Sequence, residues 1–372
     1  MDTTIKNRIE RLRTEMNKKN LDGIMILSDA NRRYLSGYSG EDGNFDESAG
    51  CLVISQKDLI LATDSRYDTQ ARNEAKLYSV VCYKESLAKD LPKILMSAGI
   101  SSLGVETSRL TVQQQEKISG ELSAKGLSIT VSPAEDILKS FRTMKDEMEV
   151  QHIKDALSIA EIAFLEFRQT IAPGMTEKKA AWNLERAMRN AGADSLSFHV
   201  IAAAGQNSAL PHAIPGLRQF REGEPLLFDF GARLNGYCSD TTRTLIMGKP
   251  DARFLEVYDT VFNAQAKAVA MIGPGVKCSD VDAVARSYID ASSYTGTFGH
   301  SLGHGVGIAI HEAPRLSKID DTLLKPGMVV TVEPGIYLPD WGGIRLENMI
   351  LVTETGAEVL NTMDYSDFCI NG

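Results

Sequence analysis

Residues 5 to 16 place Ile5, Ile9, Leu12 and Met16 three or four positions apart among charged and polar neighbours. That stripe predicts a helix lying on a core. A short apolar run, GIMILS, follows, and its length and polar flanks predict a buried strand. Further runs of the same kind, GCLVIS, LILATD, YSVVCY and SLGVE, alternate with helix-patterned stretches such as LAKDLPKILMSAG and TVQQQEKISGEL. The alternation predicts an α/β domain that closes near ITVSPAEDILKS. The charged stretch RTMKDEMEV then leads into a helical pattern reaching residue 170. A boundary near residue 140 is therefore expected, with domains over 1–138 and 139–372.

The second domain contains an internal echo. IAPGMTEKKAAWNLERAM at 171 is answered by IGPGVKCSDVDAVARSYI at 272, each read as a helix end, a Pro-Gly turn and a second helix, with Thr176 or Ser279 as its N-cap. FDFGA at 228 is answered by TVEPG at 331, and GYCSDTTR at 236 by GGIRLENM at 342, all at offsets of 101 to 106 residues. Two similar halves, each of two helices and a β-hairpin, predict a pseudo-symmetric α+β domain with a cleft between its halves.

Composition changes this picture little: 43% hydrophobic and 24% charged residues are ordinary for a globular protein. The net charge of -9, with no Lys/Arg-rich run, argues against nucleic acid as a partner. No stretch has the apolar length of a membrane span, and the N-terminal residues lack the apolar core of a secretory signal. Five scattered cysteines without a C-x-x-C pair read as reduced thiols, so a cytoplasmic location is expected.

The chemistry lies in the acids of the hairpins. EPLLFDFGARLNGYCSDTTRTLIMG reads as two strands joined at Asn235-Gly236. A two-residue turn there sets Asp229 opposite residue 242, with Asp240 diagonal to it on the same face. Glu333, ending MVVTVE, and Glu347, in GGIRLENMIL, repeat the arrangement. A lone acid of this kind is usually solvated or paired with an arginine such as Arg243 or Arg345. Four of them on apolar strands, matched across a repeat, call for divalent cations.

GHSLGHGVGIAIHE, residues 299 to 312, adds three histidines on a glycine-rich backbone suited to lining a site. His300 and His304 have the i, i+4 spacing of a zinc-protease helix, but the glutamate of H-E-x-x-H is missing. With Pro-His at 211, the set resembles the pita-bread metallopeptidases of family M24, which include methionine aminopeptidase, aminopeptidase P and prolidase. The motifs D-x-G, G-Y-x-S-D-x-T-R-T, H-x-x-G-H-G-x-G, H-E-x-P, E-P-G-x-Y and G-x-R-x-E occur in order across the C-terminal domain.

That resemblance implies a creatinase-like α/β domain followed by a pita-bread catalytic domain. It also implies two divalent metal ions held by Asp229, Asp240, His304, Glu333 and Glu347. Asp240 and Glu347 are expected between the ions, Asp229 on one, and His304 and Glu333 on the other. Oxygen-rich donors suit Mn²⁺ or Co²⁺, with Zn²⁺ and Fe²⁺ chemically open. Glu333 is the expected proton acceptor. His212 and His311 are expected to bind substrate and stabilise the oxyanion, His300 to assist, and Tyr337 and Arg345 to stand on the substrate side, Arg345 also orienting the carboxylates. YLSGYSGEDG and LATDSRYDTQA resemble bacterial aminopeptidase P-like segments, which points to an Xaa-Pro aminopeptidase acting on proline-containing peptides, ahead of an Xaa-Pro dipeptidase (prolidase). A creatinase-like amidinohydrolase and a non-catalytic scaffold fit the intact ligand set less well. Relatives with this layout imply a homodimer. Asn348 and Ala309 depart from the usual pattern without removing a ligand.

Overall fold

The structure is a computed structural model and describes residues 2–44 and 47–370. The chain divides into two compact units, Met1–Phe141 and Arg142–Gly372.

In the first unit the amphipathic stripe forms α1 (Asp2–Lys18), with Ile5, Ile9, Leu12 and Met16 all buried. Each apolar run becomes a strand: β1 (Gly23–Ile26), β2 (Cys51–Ser55), β3 (Leu59–Thr63), β4 (Ser79–Cys82) and β5 (Ser102–Val105), with β6 (Thr130–Pro133) after them. They form one sheet in the order β4-β3-β2-β1-β5-β6. Both pairings of β2 are antiparallel, the one with β3 across a tight connection, and the remaining pairings are parallel, with at least one helix between the paired strands. The helices after α1 are α2 (Asp29–Ser36), α3 (Asp68–Glu74), α4 (Leu87–Ser97), α5 (Val112–Ala124) and α6 (Glu135–Thr143). α5 starts on a capping box in which Thr111 and Gln114 satisfy each other's backbone amides.

The second unit opens with α7 (Glu147–Arg168) and α8 (Glu177–Asn190), then β7 (Ser195–Leu196) and β8 (Ile201–Ala204). The first hairpin follows as β9 (Pro225–Phe230), β10 (Ala232–Leu234), β11 (Tyr237–Cys238) and β12 (Thr241–Met247). α9 (Ala252–Met271) and α10 (Cys278–Asp290) open the second half. They lead to β13 (Gly303–Gly305), β14 (Glu312–Leu316), and a second hairpin of β15 (Val329–Val332), β16 (Gly335–Leu338), β17 (Gly342–Arg345) and β18 (Asn348–Val352). Thr176 caps α8 by accepting from the Lys179 amide. Ser279 does not cap α10, because that helix begins one residue earlier, at Cys278, and the Ser279 hydroxyl donates instead to Asp321.

Each hairpin is one register interrupted at its acids. Leu234 pairs with Tyr237 across Asn235 and Gly236, both at positive φ, as a two-residue turn of this hand requires. The same register sets Asp229 opposite Thr242. In the second hairpin Val332 pairs with Asn348 and Gly335 with Arg345. The ladder breaks between them at Glu333-Pro334, where proline has no amide to donate.

Strand alternation separates core from chemistry. Phe228 and Phe230 turn toward α7, where the Phe230 ring stacks on Phe164 at 4.6 Å, and Asp229 between them turns to the other face. Val330, Val332, Ile344 and Leu346 likewise join the core under α9 and α10, leaving Glu333, Arg345 and Glu347 on the opposite side. Burying each Phe or Ile contributes about 1.5–3 kcal/mol, which holds the acids where they would not go alone.

Gly231 lies between β9 and β10, and the Ser239 carbonyl oxygen is 2.0 Å from where its Cβ would stand. Gly231→Ala is expected to lower unfolding stability by about 1–3 kcal/mol in a urea titration. Gly120→Ala, in open space on α5, is expected to raise it by roughly 0.5–1 kcal/mol in the same titration.

Candidate metal centre and cleft

A cleft of about 530 Å³ is lined by Asp229, Asp240, His304, Glu333 and Glu347, together with His212, His300, His311 and Arg345. Asp240, His304 and Glu347 each present a ligand atom within 4.8 Å of the others. His304 Nε2 lies 3.5 Å from Asp240 Oδ2 and 3.4 Å from Glu333 Oε1. Asp229 gives one oxygen to Arg345 at 2.6 Å and leaves Oδ1 buried without a partner. The hairpins meet edge to edge: the Glu347 amide donates to the Thr242 carbonyl, and the Thr242 hydroxyl donates to Glu347 Oε2 at 2.8 Å.

The electrostatics are those of a site awaiting positive charge. Burial pushes the Asp240 carboxyl well above its ordinary range, and Glu347, Asp229 and Glu333 push it further. Glu347 is raised well above its range by burial and by Glu333 and Asp229. Glu333 is raised to about 7, chiefly by burial. Asp229 is raised by burial although Arg345 opposes it. His304 is pushed down to about 4 by burial, so it is neutral, and its Nδ1–H donates to the Gly305 carbonyl at 3.0 Å. The lone pair of Nε2 therefore faces the carboxyl oxygens of Asp240 and Glu333. Asp229 Oδ1 and Glu347 Oε1 have no donor among the described residues. Buried acceptors facing acceptors need a retained proton or a cation, and the oxygen-rich donor set fits divalent ions.

The remaining expected residues divide. His212 and His311 are exposed on the cleft wall, and the His311 ring touches that of His304 at a centroid distance of 4.4 Å. Burial lowers the His311 pKa, with Arg315 adding to the effect. His300 lines the cleft, but both its nitrogens are committed, to the Ser301 carbonyl and the Tyr337 hydroxyl, each at 2.8 Å. Its pKa falls to about 4 through burial and then Arg345, so it stands as a neutral spacer with no nitrogen left to carry a proton to substrate. Tyr337 is not among the cleft-lining residues: its hydroxyl sits behind the wall between His300 and Arg345, whose Nη1 donates to it at 3.0 Å. Arg345 is 3% exposed and spans Thr242, Tyr337, Asp229 and the Pro211 carbonyl, which ties an acid of the first hairpin to the second. Among the described residues Arg243 pairs with no acid, giving its guanidinium to the Thr242 and Glu347 carbonyls and to Asn348 Oδ1.

The cleft also contains residues that the sequence reading passed over, notably Phe198, His199, Pro215, Ile310 and Arg315. Arg315 was findable. It lies four positions after His311, and the alternation of an extended segment puts both on one face.

Comparison with known proteins agrees with this geometry. Residues 151–354 match the model of metallopeptidase family M24, and residues 8–144 match the creatinase/prolidase N-terminal domain. The chain belongs to the M24 metallopeptidases, with a creatinase-type α/β domain ahead of a pita-bread catalytic domain. It is 35% identical to an Xaa-Pro dipeptidase of Pyrococcus furiosus over 96% of this chain and 98% of that one. An Xaa-Pro dipeptidase structure from Bacillus anthracis superimposes with a TM-score of 0.90 at 36% identity, covering 98% of this chain and 100% of that one. An X-Pro aminopeptidase structure from Thermotoga maritima superimposes with a TM-score of 0.86, also at 36% identity and with the same coverage.

The raised acids reverse the usual dependence of stability on pH. Folded metal-free protein retains protons on these acids that the unfolded chain releases above about 4.5, so their contribution to stability is fullest below that pH and falls as pH rises toward about 7. Thermal unfolding of chelator-treated protein across pH 4 to 8 should show this decline. Adding a divalent ion near pH 7.5 should restore the lost stability.

Proposed function

We propose that the chain is an Xaa-Pro dipeptidase (prolidase) that uses divalent metal ions. This revises the aminopeptidase expectation taken from sequence. Named relatives support it, since dipeptidases outnumber aminopeptidases among those described. The observation that carries it is Arg315, whose guanidinium has no side-chain partner among the described residues, in the cleft beside His311. In a dipeptide the free carboxylate follows the proline directly, and an arginine fork matches it. A longer peptide has an amide at that point.

In this reading Asp229, Asp240, His304, Glu333 and Glu347 hold the ions, with Mn²⁺ or Co²⁺ suited to the donors. Bound ions would supply Lewis-acid polarisation of the scissile carbonyl and make water acidic enough to attack at neutral pH. Glu333 takes the proton released by the attacking water and passes it to the proline nitrogen as the C–N bond breaks. His311 and His212 donate hydrogen bonds to the substrate carbonyl as it gains negative charge. Arg345 and Tyr337 keep Asp229 and His300 in place. An Xaa-Pro bond offers no amide hydrogen, so Phe198, Ile201, Pro215 and Ile310 select the proline ring by shape. The five cysteines are unpaired, which supports a reducing, cytoplasmic setting.

Purified, metal-loaded protein should hydrolyse Xaa-Pro dipeptides and leave Xaa-Pro-Yaa-Zaa tetrapeptides largely intact; equal rates on both would restore the aminopeptidase reading. Arg315→Leu should raise KM for the dipeptide by roughly 10- to 100-fold, the range expected for a lost charge-assisted hydrogen bond. Its kcat should change little. His311→Ala should lower kcat by about 10²- to 10³-fold in steady-state assays.

A further inference from the structure

His311 has no hydrogen bond to its ring among the described residues. Its only described ring contact is with His304, so its position over the cleft is set by its backbone. The next residue, Glu312, points the other way into the protein, with a side chain 3% exposed. Arg142 Nη2 donates to Glu312 Oε1 at 2.6 Å and Arg142 Nε to the same oxygen at 3.0 Å, while Lys145 Nζ reaches Oε2 at 3.2 Å. The Ala309 amide also donates to Oε1 at 3.0 Å, closing residues 309–312 into a turn around the carboxylate. Gly307 has no room for a side chain there: a Cβ would lie 2.6 Å from Glu312 Oε2. The Gly307 carbonyl accepts from the Cys238 amide at 2.8 Å, two residues before Asp240. Lys145 is itself anchored, its amide donating to the Gly327 carbonyl just ahead of β15.

We infer that Glu312, clamped by Arg142 and Lys145, is a positioning residue that fixes His311 against the metal-facing wall. The carboxylate does not reach the cleft. It sets the backbone on which an otherwise unrestrained imidazole is mounted, and the two cations prevent that carboxylate from turning away. Lys145 and then Arg142 offset the cost of burying it, and its pKa is held below the ordinary range. The inference deepens the peptidase reading and rests on it for the role of His311.

The test is a double-mutant cycle between Glu312→Gln and His311→Ala, read as kcat and KM on an Xaa-Pro dipeptide, with metal content measured on every variant. Glu312→Gln keeps the shape and loses the charge. It should lower kcat by about 10- to 100-fold, as misplacement of a reacting group by an ångström does, with KM within about threefold and metal content unchanged. In the His311→Ala background it should change kcat by less than about twofold. An equal fall in both backgrounds, or a loss of bound metal that accounts for the fall, would overturn the inference. If Glu312→Gln does not fold, Arg142→Lys, which keeps the charge and loses the fork, enters the same cycle with the same outcomes. Failure of the wild type to cleave any Xaa-Pro peptide counts against the function proposed above. The present inference is then decided by a crystal structure of the variant: a displaced His311 ring upholds it, and an unmoved ring overturns it.

Discussion

Four carboxylates crowded into a water-poor cleft repel one another, and the fold exists in its present form because something else forces them together. The forcing comes from the opposite faces of the same strands. Phe228 and Phe230 on one hairpin, and Val332 and Leu346 on the other, are wholly buried under helices, and alternation leaves the acids no choice of side. Arg345 pairs directly with one of them, Asp229, while Asp240 and Glu333 face a neutral imidazole. Hydrophobic packing thus holds a charge arrangement that ions, once bound, turn from a liability into a source of stability.

Around that centre the protein spends its polar groups on alignment. Arg345 links the hairpins through Thr242, Asp229 and Tyr337, and Tyr337 passes the constraint on to His300. Arg286 and Asp282 on α10 hold the loop that carries His300, by way of the His300 carbonyl and the Leu302 amide. Glu177 on α8 does the same for the loop of His212, accepting from Ala204, Asn207 and Gly216. Each half therefore steadies its histidine-bearing loop with a buried acid from its second helix. Among the described residues the His212 and His311 rings, which line the cleft, have no hydrogen-bond partner.

Much of this was legible in the residue order. The strand runs of the first unit, the two-residue turn at Asn235-Gly236 and the Asp229–Thr242 register follow from period-2 patterning and turn chemistry, which act locally. The acids were legible because charge on an apolar strand is costly enough to demand a reason. The commitments of His300 and Tyr337 were hidden, since they depend on the Ser301 carbonyl and on Arg345 arriving from another strand. Ser279 looked like a cap because its helix start was placed two residues late: the N-cap is Lys277. Arg315 was passed over because an arginine on a polar strand face has an ordinary solvated explanation until the cleft is seen.

The division of the acids between two hairpins bears on how the protein is made. Thr242 and Glu347, which touch through a hydroxyl and a carboxylate, are 105 residues apart in the chain. Closing so long a loop is slow and entropically costly. During synthesis the first hairpin must therefore wait, its aspartates unmatched, until the second has left the ribosome. A chain cut short between the hairpins would carry Asp229 and Asp240 without Glu333 and Glu347, half of the acids of the centre.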